Sequence, residues 1–128
     1  MAGDLLFAYG TLMRGFRLHR FLAGQAEYLG EGEAPGLLFD LGSYPAALRG
    51  AGGWIRGEVY RLLDPGLWVV LDSAEGSQYH RGEVGVRMSS GGDVTAAIYW
   101  LVAPLGGAVP IPGGDYRAHL PAKSIHHR

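Results

Sequence analysis

The residues best suited to chemistry in this sequence begin with a glycine turn near the N-terminus. The apolar run Leu5 to Tyr9 is too short for a typical helix, and its aromatic residues suit a buried strand. Gly10 follows, and a glycine lets the backbone approach a ligand closely. The N–H groups of Thr11 and Leu12 can then turn toward an anion, while Tyr9 and Thr11 add hydroxyl groups. The pattern predicts a strand that runs into an anion-binding turn, with an ordinary turn as the alternative.

The second candidate is Glu75, which we expect at the C-terminal end of a helix. Asp64 and Pro65 form the helix start, with Asp64 as the N-cap and Pro65 at the first helical position, and Gly76 ends the element. The C-terminal end of a helix carries the negative pole of its dipole, which should raise the pKa of a carboxylate there. A carboxyl group tuned toward neutrality can take a proton and return it. The alternative is a solvated glutamate at a helix end.

The rest of the chain is predicted to consist mainly of short strands that position these two features. Val94 to Val102 is the longest apolar run and suits a central antiparallel strand. The other predicted elements are a short helix within 14–24, extended segments at 26–33, 54–63 and 79–88, a short strand between turns at 35–45, a hairpin turn at 90–93, and a last turn capped by Asp115. These elements favour an α+β fold whose mainly antiparallel sheet is curled or closed.

Length and composition restrict the class of protein. The chain has 128 residues, which is the length of one domain, and 48% of them are hydrophobic, as in a globular protein. A net charge of −1 gives no global field that would draw the chain to nucleic acid or to an anionic membrane. The absence of cysteine excludes disulfides, thiolate metal sites and a cysteine nucleophile. With no basic leader before a short apolar run, we expect a cytoplasmic protein.

An ordered set of short segments resembles the gamma-glutamylcyclotransferase-like (AIG2-like) family. The segments are Phe7–Leu12, Gly42–Pro45, Gly57–Tyr60, Leu71–Gly76, Tyr79–Arg81 and Gly114–Arg117. They follow one another over almost the whole chain. The resemblance implies a small mixed, mainly antiparallel β-barrel with two or more short helices, formed by residues 1–121, and a cavity. Residues 122–128 are then a polar C-terminal tail.

The resemblance also implies an activity. Enzymatic members cyclise a gamma-glutamyl amine to 5-oxoproline and release the free amine. The backbone N–H groups of Gly10, Thr11 and Leu12 would hold the substrate's α-carboxylate, and Glu75 would move a proton from the α-ammonium to the departing amine. This chemistry needs no metal and no cofactor, and none of the histidines has the spacing of metal ligands.

Four tyrosines are further candidates for substrate binding. Tyr9 belongs to the cavity floor, Tyr44 and Tyr79 would line the pocket, and Tyr116 matches a family segment near the cavity mouth. Simple packing is the alternative for these rings. Two other functions stay open, namely a non-catalytic binding module for a small carboxylate in the same cavity and a structural or partner-binding barrel without an enclosed pocket. The leaving amine and the oligomeric state are not given by the sequence.

Overall fold

The computed structural model describes residues 2–120, which form eight strands, one α-helix and short helical segments. The strands are β1 (Leu5–Ala8), β2 (Ala26–Pro35), β3 (Leu37–Asp40), β4 (Pro45–Leu48), β5 (Trp54–Leu62), β6 (Tyr79–Met88), β7 (Asp93–Leu101) and β8 (Val109–Pro110). Helix α1 spans Leu67–Glu75, short 3-10 helices span Ala2–Asp4 and Arg17–Phe21, and residues 116–120 are helical. The predicted tail at 122–128 and the end of the domain at residue 121 lie outside the described residues.

Five of these strands close into a barrel in the order β1-β5-β2-β6-β7. The neighbours β1–β5, β5–β2, β2–β6 and β6–β7 are antiparallel, and the barrel closes where β1 meets β7 in parallel at Leu6 and Ala97. The mainly antiparallel mixed barrel expected from the resemblance is therefore confirmed. Strands β4, β3 and β8 extend the sheet from β7. Two of them, β4 and β8, are short strands that the sequence analysis did not predict.

The barrel core consists of side chains that alternate inward along the strands. Leu6, Ile55, Val59, Val86 and Ile98 are each at most 1% exposed. The outer face of β5 is covered as well, since Glu58 and Tyr60 are only 3% exposed. The middle of the strand, at residues 57–60, therefore has both faces buried. Part of the cover over its outer face comes from the chain that follows β1.

Helix α1 starts later than the sequence predicts. Its first residue is Leu67 and its N-cap position is Gly66, which has no side-chain cap. Asp64 instead uses its Oδ1 atom to accept a hydrogen bond from the Gly66 N–H at 2.9 Å, which forms a turn before the helix. Aspartate side chains often bond to the backbone two residues ahead, and this bond competes with capping. The predicted end is confirmed, because Gly76 follows the helix with a φ of 87°.

Two of the three short helical segments also agree with the sequence. The 3-10 helix Arg17–Phe21 lies within the predicted range 14–24 and buries Leu18. Asp115 accepts a hydrogen bond from the Ala118 N–H through Oδ1 at 3.1 Å, as expected of a helix cap. Within residues 2–120, every helix is too short or too polar to cross a lipid bilayer.

Candidate active site

A cavity of about 180 Å³ lies at the end of β1, where the chain leaves the barrel wall. Seven of the eight predicted site residues line it: Tyr9, Gly10, Thr11, Leu12, Tyr44, Glu75 and Tyr79. These residues come from the turn after β1, the loop before β4, the end of α1 and the start of β6. The fold thus brings together residues that are more than sixty positions apart in the chain.

The turn after β1 forms one wall of the cavity. Its backbone is closed by a hydrogen bond from the Met13 N–H to the Gly10 carbonyl at 3.0 Å. The amides of Gly10, Thr11 and Leu12 have no hydrogen-bond acceptor in the part of the chain that the structure describes. Adjacent amide groups without acceptors beside a cavity are suited to binding an anion.

Gly10 is required in this turn by a close approach of the protein to itself. A Cβ atom at this position would lie 2.5 Å from Cγ of Pro45, a distance that real Cβ contacts do not show. Pro45 also lines the cavity, directly after Tyr44. The glycine therefore lets β1 pack against the start of β4, whereas the sequence suggested that it made room for a ligand.

Glu58 holds the chain that follows the turn. Its Oε1 atom accepts hydrogen bonds from the Arg14 N–H at 2.9 Å and from the Tyr60 hydroxyl at 2.8 Å. Its Oε2 atom lies 3.3 Å from both Arg14 Nε and an Arg117 guanidinium nitrogen. A buried carboxylate needs such partners, because an unpaired charge in the interior is costly. No local sequence signal marked Glu58 for this role, because the same strand also carries Arg56 and Arg61.

The hydroxyl groups of the lining tyrosines bond to the protein. Tyr9 donates to the Tyr99 carbonyl at 2.6 Å and accepts a hydrogen bond from the Ala47 N–H at 3.3 Å. Tyr79 donates to the Pro45 carbonyl at 2.9 Å. The Tyr9 hydroxyl is thus engaged with β7 and β4, which differs from the anion-facing role suggested by its place in the turn. Its burial raises the pKa of Tyr9 well above the usual value.

Tyr44 has looser contacts than the other two lining tyrosines. Its hydroxyl donates to Gln78 Oε1 at 3.4 Å, and its ring centre lies 6.2 Å from that of Tyr79. The side chain is half-buried, in the loop between β3 and β4. Tyr44 thus forms part of the cavity wall.

Glu75 is the last residue of α1, and its carboxyl group faces the cavity. Burial raises the pKa of Glu75 to about 7, and the positive charge of Arg17 acts in the opposite direction. The direction agrees with the expectation from the sequence, although desolvation is the main cause. No hydrogen bond from the described residues engages this carboxyl group. Glu75 can therefore exchange a proton with a bound molecule at neutral pH.

The helix that carries Glu75 is fixed by Asp72, one turn earlier. Asp72 accepts a hydrogen bond from the Tyr99 hydroxyl at 2.6 Å and pairs with Arg81 through two contacts of 3.0 and 3.2 Å. The Tyr99 hydroxyl bond lowers the pKa of Asp72, and Arg81 lowers it further, against the effect of burial. These bonds tie α1 to β6 and β7, so the position of Glu75 relative to the turn depends on tertiary contacts.

Tyr116 is the predicted site residue that does not line the cavity. Its ring is buried and its centre lies 5.5 Å from that of Phe16. Two residues that the sequence analysis did not select, Arg17 and Tyr99, line the cavity instead. Tyr99 belongs to an apolar strand, and Arg17 is one of several arginines in a short segment. Neither residue therefore carried a local signal that marked it as part of a site.

The described residues contain no cluster of three or more histidine, aspartate or glutamate side chains that could hold a metal ion.

Comparison with known proteins places this geometry in a family. The family model for gamma-glutamyl cyclotransferase, AIG2-like, matches residues 6–118. This chain belongs to that family. The comparison with curated proteins gives no match.

Solved structures share the fold over most of the chain. An uncharacterised protein from Pyrococcus horikoshii has 27% identity and a TM-score of 0.76, with 97% of this chain and 98% of that one covered. The protein YkqA from Bacillus subtilis has 30% identity and a TM-score of 0.78; the match covers 94% of this chain but only 42% of that one. An AIG2-like protein from Mus musculus has 26% identity and a TM-score of 0.66, with 79% and 80% covered. The chain thus has a gamma-glutamylcyclotransferase-like fold.

Proposed function

We propose that this protein is an enzyme that cyclises gamma-glutamyl amines. The substrate's α-amine attacks its own gamma-glutamyl carbonyl, which gives 5-oxoproline and a free amine. The observation that carries the proposal is the shared cavity of Glu75, whose pKa burial raises to about 7, and the turn amides that have no acceptor among the described residues. Family membership supports the same reaction class.

The turn is suited to orienting the substrate. The amides of Gly10, Thr11 and Leu12 would bind the α-carboxylate of the glutamyl group, as backbone N–H groups in turns commonly bind anions. A glutamyl chain is flexible, and its α-amine reaches the γ-carbonyl only in a folded conformation. Holding the carboxylate in one place selects that conformation, which lowers the entropic part of the barrier.

Glu75 would transfer the proton that the reaction has to move. With a pKa near neutrality, a substantial fraction of Glu75 is ionised at pH 7 and can accept a proton from the α-ammonium. The freed nitrogen attacks the γ-carbonyl carbon and forms the new C–N bond. As the C–N bond to the leaving amine breaks, Glu75 gives this proton to that amine. Glu75 then accepts the second proton that the new ring nitrogen loses, and releases it to solvent. One carboxyl group therefore acts as base and then as acid, and ends in its starting state.

The test is release of 5-oxoproline from a panel of gamma-glutamyl amines, followed by mass spectrometry. We expect turnover by the wild type and a loss of about 10²- to 10⁴-fold in kcat for Glu75→Gln. Glu83→Gln is the matched control, because it removes an exposed carboxylate that does not line the cavity. Equal rates for Glu75→Gln and the wild type would contradict the acid/base role.

The same panel separates catalysis from binding alone. A non-catalytic module for a small carboxylate would raise its melting temperature with gamma-glutamyl compounds and form no product. In that case Glu75→Gln should bind as well as the wild type. Thermal stabilisation and product formation are therefore measured on the same samples.

A further inference from the structure

Asp40 is a buried carboxylate at the end of β3 that the proposed mechanism does not use. Its side chain is only 7% exposed. Its Oδ1 atom accepts a hydrogen bond from the Gly42 N–H at 2.7 Å, and its Oδ2 atom lies 2.9 Å from Nε2 of His119. A carboxylate in the interior is costly unless it is paired, so these partners stabilise it there. The contact with His119 also joins parts of the chain that are 79 positions apart.

The bond to Gly42 fixes the loop between β3 and β4. Within this loop, the Leu41 N–H donates a hydrogen bond to the Tyr44 carbonyl at 3.0 Å, so the loop closes directly after Asp40. Gly42 has a φ of 112°, a backbone conformation that glycine adopts more readily than other residues. Tyr44 and Pro45, at the end of the loop, line the cavity. Asp40 therefore holds the start of a loop whose end forms part of the cavity wall.

The contact with His119 joins this loop to the helical segment 116–120. The His119 N–H donates a hydrogen bond to the Asp115 carbonyl at 3.0 Å, and the side chain is 22% exposed, so packing also restricts the ring. Burial raises the pKa of Tyr116, and the negative charge of Asp40 raises it further, which indicates that Asp40 is near a second residue of this segment. Tyr116 itself does not line the cavity. The helical segment can thus act on the cavity through Asp40.

The two lining residues of the loop differ in how they are held. The Pro45 carbonyl accepts a hydrogen bond from the Tyr79 hydroxyl at 2.9 Å, and the Pro45 ring packs against the turn after β1. The Tyr44 hydroxyl, by contrast, makes one long hydrogen bond of 3.4 Å. The position of Tyr44 therefore depends on the backbone of the loop, and through it on Asp40.

We infer that Asp40 and His119 are positioning residues that hold the loop, so that Tyr44 stays in the cavity wall and contributes to substrate binding. The inference rests on the proposed function, which makes a gamma-glutamyl amine the ligand of this cavity. Neither Asp40 nor His119 lines the cavity, and Glu75 is held separately by the bonds that tie α1 to β6 and β7. Loss of the pair should therefore weaken substrate binding and leave proton transfer by Glu75 intact.

Steady-state kinetics with the gamma-glutamyl amine that is turned over fastest tests the inference. We expect KM to rise about 3- to 10-fold in Asp40→Ala, the effect of about one net hydrogen bond, while kcat stays within about twofold of the wild type. His119→Leu removes one of the two bonds and should raise KM by a smaller factor. Asp40→Asn is the matched control, because its amide group can still accept from the Gly42 N–H and donate to the His119 ring, so KM should stay close to that of the wild type.

The separation of KM from kcat distinguishes positioning from a general loss of stability. Partial unfolding lowers the amount of active enzyme and hence the apparent kcat, with no change in KM. Urea titration of each variant measures the folded fraction. If Asp40→Ala does not fold, His119→Leu alone decides, because this side chain is less buried than Asp40. An unchanged KM in His119→Leu, or a KM in Asp40→Asn as high as in Asp40→Ala, would overturn the inference.

If no compound is turned over, the proposed function fails separately. The backbone amide signal of Tyr44 in NMR spectra then decides the role of the pair, because it reports the position of the loop without a ligand. A signal that moves in His119→Leu and stays in place in Asp40→Asn supports the inference. A signal that is unchanged in His119→Leu contradicts it.

Discussion

The raised pKa of Glu75 predicts that this residue lowers the stability of the fold at neutral pH. The pKa of Glu75 changes from the usual 4.5 to about 7 when the chain folds, because the carboxyl group is buried. Below the lower value the group is protonated in both states. Between the two values the unfolded chain ionises while the folded protein stays protonated, so the free energy of unfolding falls as pH rises. Above a pH of about 7, the folded-state pKa, Glu75 is ionised in both states and the free energy of unfolding falls no further on its account.

The size of the effect follows from these two values. A tenfold change in proton affinity corresponds to about 1.4 kcal/mol, so the difference between 4.5 and about 7 gives a loss of about 3 kcal/mol. Glu75→Gln keeps the shape of the side chain and cannot ionise. The variant should therefore gain stability relative to the wild type as pH rises, by about 3 kcal/mol between about pH 4 and pH 8. Residues that serve function often lower the stability of the folded protein, and the expected effect of Glu75 is of this kind.

Urea denaturation followed by tryptophan fluorescence measures this difference at each pH. Other titrating groups are shared by the two proteins, so their contributions cancel in the comparison. Glu83→Gln, at an exposed position, controls for the loss of one negative charge and should follow the wild type. A stability difference between Glu75→Gln and the wild type that does not vary with pH would show that the pKa of Glu75 is not raised by burial. The inference that Glu75 moves a proton at neutral pH would then be wrong.

Two further predictions concern the turn. Glu58→Gln should lower the free energy of unfolding in a urea titration by about 1–3 kcal/mol and reduce turnover, because Gln cannot replace the charged group that accepts hydrogen bonds from the Arg14 N–H and the Tyr60 hydroxyl. Glu31→Gln is the control, because Glu31 forms an exposed ion pair with 45% of its side chain accessible. This control should lower the free energy of unfolding by only about 0–1 kcal/mol in the same titration. Gly10→Ala should be destabilised by about 1–3 kcal/mol and lose activity in the 5-oxoproline assay, because its Cβ would overlap the ring of Pro45. Gly85→Ala is the control, because a Cβ at that position has open space around it, and this variant should retain activity. A fully active, stable Gly10→Ala would show that the close packing of the turn is unimportant.

Local patterns predicted most of the elements that form the site. The short apolar run gave β1, the glycine after it gave the turn, and Gly76 fixed the end of the helix that carries Glu75. The hairpin at 90–93 and strands β6 and β7 also follow from residues within each segment. The start of α1 was predicted two residues too early, because Asp64 bonds to the Gly66 N–H instead of capping the helix. Whether Asp64 caps the helix or bonds to the Gly66 N–H depends on small energy differences between competing local hydrogen bonds.

By itself the sequence determined the mainly antiparallel strands, the turn and a glutamate at a helix end, because these depend on residues within a few positions of one another. Only the tertiary structure shows which residues these elements contact and which of them line the cavity. It closed the barrel through the parallel pair of β1 and β7, joined the Tyr9 hydroxyl to Tyr99, ninety residues later, and brought Arg17 to the cavity while Tyr116 packed beside Phe16. Such contacts depend on barrel closure and on burial, and no local spacing encodes them.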